Sequence, residues 1–166
     1  MTVRPLLLVD VDGVLSLYGG TRAEPGTVLG TQVDGIPHLL SRRAAAILRG
    51  LAPWFECAWC TGWEDRADTH LPALLDLPRG WPHVVFPDRP EPAAHWKLPG
   101  IDAFAGAERP LAWIDDAHDQ ACRDWAAARA GPTLLVTTEP HLGLVCEHAR
   151  TLRDWALRAR AGGRPR

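Results

Sequence analysis

Lysine is all but missing from this sequence: 18 residues are basic, yet Lys97 is the one lysine and the others are arginine. A chain that otherwise uses arginine for positive charge marks that ammonium as a position to explain. Serine is nearly as scarce. Ser16 and Ser41 are the two present, and neither stands in a Gly-x-Ser-x-Gly setting, which excludes a serine-hydrolase nucleophile elbow. No apolar run approaches the roughly 18 residues of a membrane-crossing helix. The run Leu6-Leu7-Leu8-Val9 is broken by Asp10 and Asp12, too early for a secretory h-region, so no signal peptide and no membrane partner are expected. Neither charge sign dominates. The formal net charge is −2, so binding to nucleic acid or an anionic membrane would need a local basic patch. The four cysteines lack secretory context and are expected to be reduced thiols in a cytoplasmic protein.

The 166 residues present are 46% hydrophobic and 23% charged, the composition of a globular chain and not of a disordered one. That length suits one domain, expected over residues 1–161, followed by a disordered basic tail at 162–166. Val3 to Val9 is a continuous apolar run, the mark of a strand buried on both faces. Tyr18 to Pro37 holds five glycines and reads as a loop and a hairpin. Ser41 is placed to cap a helix reaching Leu51, before Pro53. Glu56 to Thr61 predicts a second buried strand, and Trp63 to Leu75 a helix with Glu64 and Asp65 in its first turn. Pro78 to Pro99 carries six prolines and reads as an irregular connection with a short strand at His83 to Phe86. Then follow a brief helix at Leu98 to Ala105, a strand at Leu111 to Ile114 and a helix at Asp119 to Ala130. A strand at Thr133 to Val136 and a helix at Val145 to Ala161 complete the pattern. The alternation predicts an α/β class: a three-layer, Rossmann-like domain with a central parallel sheet, whose active site lies beyond the carboxyl ends of the strands.

Acidic residues collect at those ends. The first strand finishes in Asp10-Val11-Asp12-Gly13, the second in Thr61-Gly62, and a later one in Asp115-Asp116, with Lys97 on the approach. Alternation along a strand predicts that Asp10 and Asp12 face one site. Carboxylates this dense repel one another and call for a cation, and hard oxygen ligands with room for phosphate favour Mg²⁺. Lys97 offsets part of the remaining charge and can hold a phosphate oxygen, while Thr61 and nearby backbone N–H groups offer further donors. Asp10 could then attack phosphorus, and Asp12 protonate the leaving oxygen and later deprotonate water.

DVDGV at 10–14, a strand ending at Thr61, Lys97 and IDD at 114–116 together resemble the haloacid dehalogenase superfamily of phosphohydrolases, over about residues 5–120. The resemblance implies Asp10 as nucleophile and Asp12 as general acid/base. Thr61 and Lys97 would hold the phosphoryl group; independently of the resemblance, Gly62 and Trp63 read as substrate contacts because they directly follow Thr61 at the mouth of the site. Mg²⁺ would sit on Asp10, the backbone carbonyl of Asp12 and Asp115, with Asp116 direct or through water. The stretches CAWCTGWEDRA, HWKLPGI and PLAWIDD are similar to phosphatase domains associated with RNA-repair proteins. Superfamily members choose substrates with inserted caps, and 48 residues between Asp12 and Thr61 leave room for a small hairpin flap and no large cap. An open site suits a large phosphorylated substrate such as a 5′- or 3′-phosphorylated nucleic-acid end. A nucleotide or sugar phosphate is the small-molecule alternative. A receiver-type phospho-acceptor would place its acidic pair on the first strand, opposite to the order in this chain, and a non-catalytic module descended from the family is the third reading.

Tyr18, Arg22, Trp63, Arg66, Arg89 and His118 are candidate supplementary contacts, each of which also reads as a packing or solvated residue. Cys57-x-x-Cys60 falls within a buried strand and without a second pair, so core packing accounts for it better than zinc or redox chemistry. Arg158, Arg160, Arg164 and Arg166 form a basic stretch that reads as solvated.

Overall fold

The computed structural model describes residues 4–20, 24–87 and 95–162. Arg22, Arg89 and residues 163–166 lie outside the described residues, so the readings made of them stay sequence readings. Strand β1, Leu6–Val9, consists of four buried apolar residues, each worth roughly 1.5–3 kcal/mol of burial. A chain buried on both faces has to find backbone partners on both edges. The partners are β4, Glu56–Trp59, on one side and β5, Leu111–Asp115, on the other, both parallel to β1. Strand β6, Thr133–Thr137, extends the sheet beyond β5, giving the order β4-β1-β5-β6. The expected α/β class with a central parallel sheet is what the chain forms.

Hairpin strands β2, Val28–Val33, and β3, Ile36–Ser41, form a separate two-stranded sheet. Ser41 ends the hairpin and caps α1, Arg42–Leu51, its hydroxyl accepting from the Ala44 N–H at 3.0 Å. Helix α1 buries Ala44, Ala45, Leu48 and Leu51, and α2, Asp65–Leu75, buries Ala67, Leu71 and Leu75. With α5, Cys146–Gly162, which contributes Leu152 and Trp155, they cover the sheet face carrying Leu7, Val9, Trp59 and Ile114. The opposite face, with Leu8, Ala58 and Trp113, packs on α3, Leu98–Ala105, and α4, Gln120–Ala128. The result is three layers.

Several boundaries differ from expectation. The described part of β1 starts at Leu6, after Pro5. Helix α2 starts at Asp65 because Glu64 takes φ 48°, a left-handed conformation that breaks helical continuity. The expected strand near His83 is a single parallel bridge to Trp59. Among the described residues no helix is long and apolar enough to cross a membrane.

Strand order places the site. From β1 the chain crosses to β4 on one side and then returns past β1 to β5 on the other. The carboxyl end of β1 therefore stands where the winding direction reverses, the crevice that such sheets offer to ligands.

Candidate active site

Asp10 directly follows β1, and its N–H donates to the Ile114 carbonyl at 3.0 Å, so the turn leaves the sheet beside β5. Because Val9 is in register with Ile114, the next residues on the two strands, Asp10 and Asp115, emerge side by side. Lys97 reaches them from the start of α3. Its Nζ lies 2.6 Å from Asp115 Oδ2 and 3.1 Å from Asp10 Oδ2, with the residue 3% exposed. The remaining oxygens are held by backbone: Asp10 Oδ1 accepts from the Val11 N–H at 2.8 Å, and Asp115 Oδ1 from the Ala117 N–H at 3.0 Å.

Burial pushes the Asp10 carboxyl up to about 7, Lys97 opposing the rise and Asp115 adding to it. Burial alone would lower the Lys97 ammonium, but the charges of Asp10 and Asp115 override it and hold Lys97 firmly protonated. The ammonium therefore pairs with both acids, and burial is what raises the Asp10 carboxyl. Asp116 adds a third carboxylate, and one oxygen from each of Asp10, Asp115 and Asp116 falls within 4.8 Å of the others. Three carboxylates against one ammonium leave an uncompensated negative charge, and all the donors are hard oxygens. The set fits a divalent cation such as Mg²⁺. Burial raises the Asp116 carboxyl too, while the Tyr18 hydroxyl, which donates to Asp116 Oδ2, lowers it. That bond pushes the Tyr18 phenol up to about 12.

Asp10, Asp12, Lys97, Asp115 and Asp116 line one cleft of about 250 Å³, together with Gly62, His95, Trp96 and Ala117. The two N-terminal aspartates do share a site, but strand alternation is not the reason. The strand ends at Val9, and Asp12 is brought round by a tight turn in which the N–H groups of Val14, Leu15 and Ser16 converge on the Val11 carbonyl. Its side chain is 52% exposed and sits outside the acidic trio. The Trp63 indole N–H donates to Asp12 Oδ2 at 3.0 Å, and His38 Nδ1, bonded to Ser16 Oγ at 2.9 Å, stands 4.0 Å from Oδ1.

Gly13 makes that turn feasible, at φ 76°, and a Cβ there would overlap the Asp116 carboxyl. A Gly13→Ala variant is expected to lose about 1–3 kcal/mol in urea unfolding. If the acids hold Mg²⁺, the ion should raise thermal stability less in this variant than in the parent, because Asp116 is displaced. Unchanged stability and an unchanged Mg²⁺ response would show that the turn tolerates a side chain.

Thr61 is buried, and its hydroxyl accepts from the Trp63 N–H at 3.2 Å, so it supports the start of the segment leading into α2 while Gly62 lines the cleft. Trp63 is 6% exposed, with its ring 4.7 Å from His38. Its polar edge is engaged with Asp12. His118 packs edge-on against Trp113 and pairs with the Thr137 hydroxyl, and burial drops it to about 4; it does not line the cleft. Arg66 pairs with Asp34 of the hairpin turn at 2.9 Å. Cys57 and Cys60 are buried core thiols, both pushed up by burial.

Three supports escaped sequence reading. Tyr18 was a candidate for substrate contact, but its hydroxyl holds Asp116. His38 stands beside Asp12 through the turn of Ser16. Thr138, 2% exposed, donates its hydroxyl to the Gly13 carbonyl at 2.8 Å and its N–H to the Asp115 carbonyl at 3.0 Å, tying the ends of β1 and β5 together. A polar residue just beyond a strand end is the signal that could have pointed to Thr138.

No protein-family model matches the chain, and no curated protein matches it. A solved structure of a Vibrio cholerae protein, provisionally assigned as a 3-deoxy-D-manno-octulosonate 8-phosphate phosphatase, shares 17% identity over 99% of this chain and 89% of its own, with a TM-score of 0.45. An overlap that loose carries no inference about activity, so the chemistry rests on the geometry of the cleft.

Proposed function

We propose that the chain is a Mg²⁺-dependent phosphomonoester hydrolase of the haloacid dehalogenase type, with residues 1–161 as one catalytic unit and an aspartyl-phosphate formed on Asp10. The observation that carries this reading is the buried Asp10, paired with Lys97 beside Asp115 and Asp116, with Asp12 at the rim of the same cleft. Asp10, Asp115 and Asp116, with the Asp12 carbonyl, would hold Mg²⁺. When bound, the ion supplies charge neutralisation and polarises the phosphoryl oxygens.

An Asp10 carboxylate oxygen attacks phosphorus while the bond to the leaving oxygen breaks, and Asp12 gives that oxygen its proton, releasing an alcohol. Water then attacks the phosphorus and passes a proton to Asp12. The Asp10–phosphorus bond breaks, and inorganic phosphate departs. Lys97, Thr61 and the backbone at Gly62 would steady the phosphoryl group. Trp63 keeps the Asp12 carboxyl at the rim, where a leaving group must pass.

Between β1 and β4 the described chain holds the hairpin and α1, which leaves the cleft open to a large substrate such as a phosphorylated nucleic-acid end. A small phosphorylated metabolite is the second reading, favoured by a further cavity that opens beside the cleft. A cytoplasmic setting belongs to the same proposal and rests on free, buried Cys57, Cys60 and Cys122.

Purified protein is expected to release phosphate from an aryl phosphate and from phosphorylated oligonucleotides in Mg²⁺. Excess chelator should remove that activity and added Mg²⁺ restore it. Full turnover in chelator would overturn the metal assignment, and no turnover on a broad phosphomonoester panel would overturn the hydrolase reading.

A further inference from the structure

A second cavity, of about 410 Å³, lies between the hairpin and the start of α2, and it shares Asp12 and Gly62 with the acidic cleft. The remaining lining is Val33 and Ile36 of the hairpin, His38, Trp63 and Arg66. Asp12 stands at the junction. A group that protonates the leaving oxygen has to lie between the phosphoryl site and the rest of the substrate. Phosphorus beside Asp10 and a proton from Asp12 therefore direct the leaving group into this second cavity.

The walls define what fits there. Val33 and Ile36 give an aliphatic side, and Trp63 and His38 give an aromatic one with rings 4.7 Å apart and tilted by 58°. Several polar groups are already engaged: Trp63 Nε1 serves Asp12, His38 Nδ1 pairs with Ser16, and one guanidinium nitrogen of Arg66 pairs with Asp34. A polyol such as a hexose would leave most of its hydroxyls without partners in such a space, at a cost for each one. A flat, weakly polar ring loses little and gains apolar contact. The Arg66–Asp34 bridge also joins the hairpin turn to α2, so the two walls are fastened to each other across the cavity.

We infer that this cavity seats the leaving group of a phosphomonoester whose alcohol carries a flat heteroaromatic ring, the chemistry of a nucleoside, free or at a nucleic-acid end. The inference rests on the hydrolase reading above. Ile36 is 55% exposed on the cavity wall, so changing it alters the ring site at little cost to the fold.

The experiment compares kcat/KM for ribose 5-phosphate and for nucleoside 5′-monophosphates, which share the leaving alcohol and differ by the base. Glucose 6-phosphate, an aryl phosphate and 5′-phosphorylated oligonucleotides complete the panel. The base is expected to raise kcat/KM about tenfold or more. Ile36→Asp, and the uncharged Ile36→Ser, should cut the value for the nucleotide several times more than for ribose 5-phosphate, bringing the ratio toward one. Preference for the free nucleotide or for the oligonucleotide end tells which source supplies the ring. Equal rates with and without a base, a preference for glucose 6-phosphate, or a ratio that neither Ile36 variant changes would overturn the ring site while leaving the hydrolase intact. Silence on every substrate would overturn the hydrolase reading itself.

Discussion

Asp10→Asn is expected to abolish phosphomonoester turnover, with a loss of about 10⁴-fold or more, while the protein stays folded. The amide keeps the size of the side chain, and its one oxygen can still accept from the Val11 N–H at 2.8 Å. The contact to Lys97 is lost because an NH2 cannot accept, but the ammonium keeps Asp115 at 2.6 Å. The amide cannot act as an anionic nucleophile. The substitution also takes away a carboxylate that burial had pushed up to about 7, which removes an unfavourable charge from the native state. Thermal unfolding should therefore shift by no more than a few degrees. Phosphate-release kinetics alongside circular dichroism separate the two effects. Activity near the parent level in a folded Asn variant would remove Asp10 as nucleophile.

Lys97→Met should be the most destabilising single change at the site. Lys97 is 3% exposed, and its ammonium lies between Asp10 and Asp115 at 3.1 and 2.6 Å. Methionine fills much the same volume but leaves two buried carboxylates facing each other with no cation between them. Breaking a buried pair from one side costs about 3–5 kcal/mol, and urea unfolding without divalent ions should read that amount. Mg²⁺ should recover part of it, because the ion can take over some of the missing positive charge. Turnover should fall at least about a hundredfold even with Mg²⁺, since a donor to the phosphoryl group is gone. Arginine is a poor replacement in so closed a space, where its planar fork needs more room than a point charge. A Met variant as stable as the parent without metal would show that Lys97 does not compensate the acids.

Strand ends are local features, and that is why so much of the cleft could be read in advance. The apolar runs Leu6 to Val9 and Leu111 to Ile114 announce buried strands, and the acids after them are placed by continuity alone. Lys97 stands out through scarcity. The contacts that refine the site belong to another class. Trp63 meets Asp12 across 51 positions, Tyr18 meets Asp116 across 98, and Thr138 meets Gly13 across 125. No periodicity encodes such pairs, because each depends on how separately formed elements dock. Trp63 shows the difference well: its place after Thr61-Gly62 suggests the mouth of the site, where it lines the neighbouring cavity, but its indole N–H bond to Asp12 is not readable from the sequence. Asp10 and Asp12 line one cleft without the strand alternation that the sequence suggests, since the strand stops at Val9 and a glycine turn brings Asp12 round.

The clasp between Gly13 and Thr138 bears on how the protein is made. The Gly13 turn is synthesised 125 residues before the Thr138 hydroxyl that steadies it. At ordinary translation speeds that interval is roughly 6–25 s. For most of that interval the acidic turn also lacks β5, Leu111–Asp115, so the cleft between Asp10 and Asp115 cannot take its final form until both β5 and Thr138 have been made.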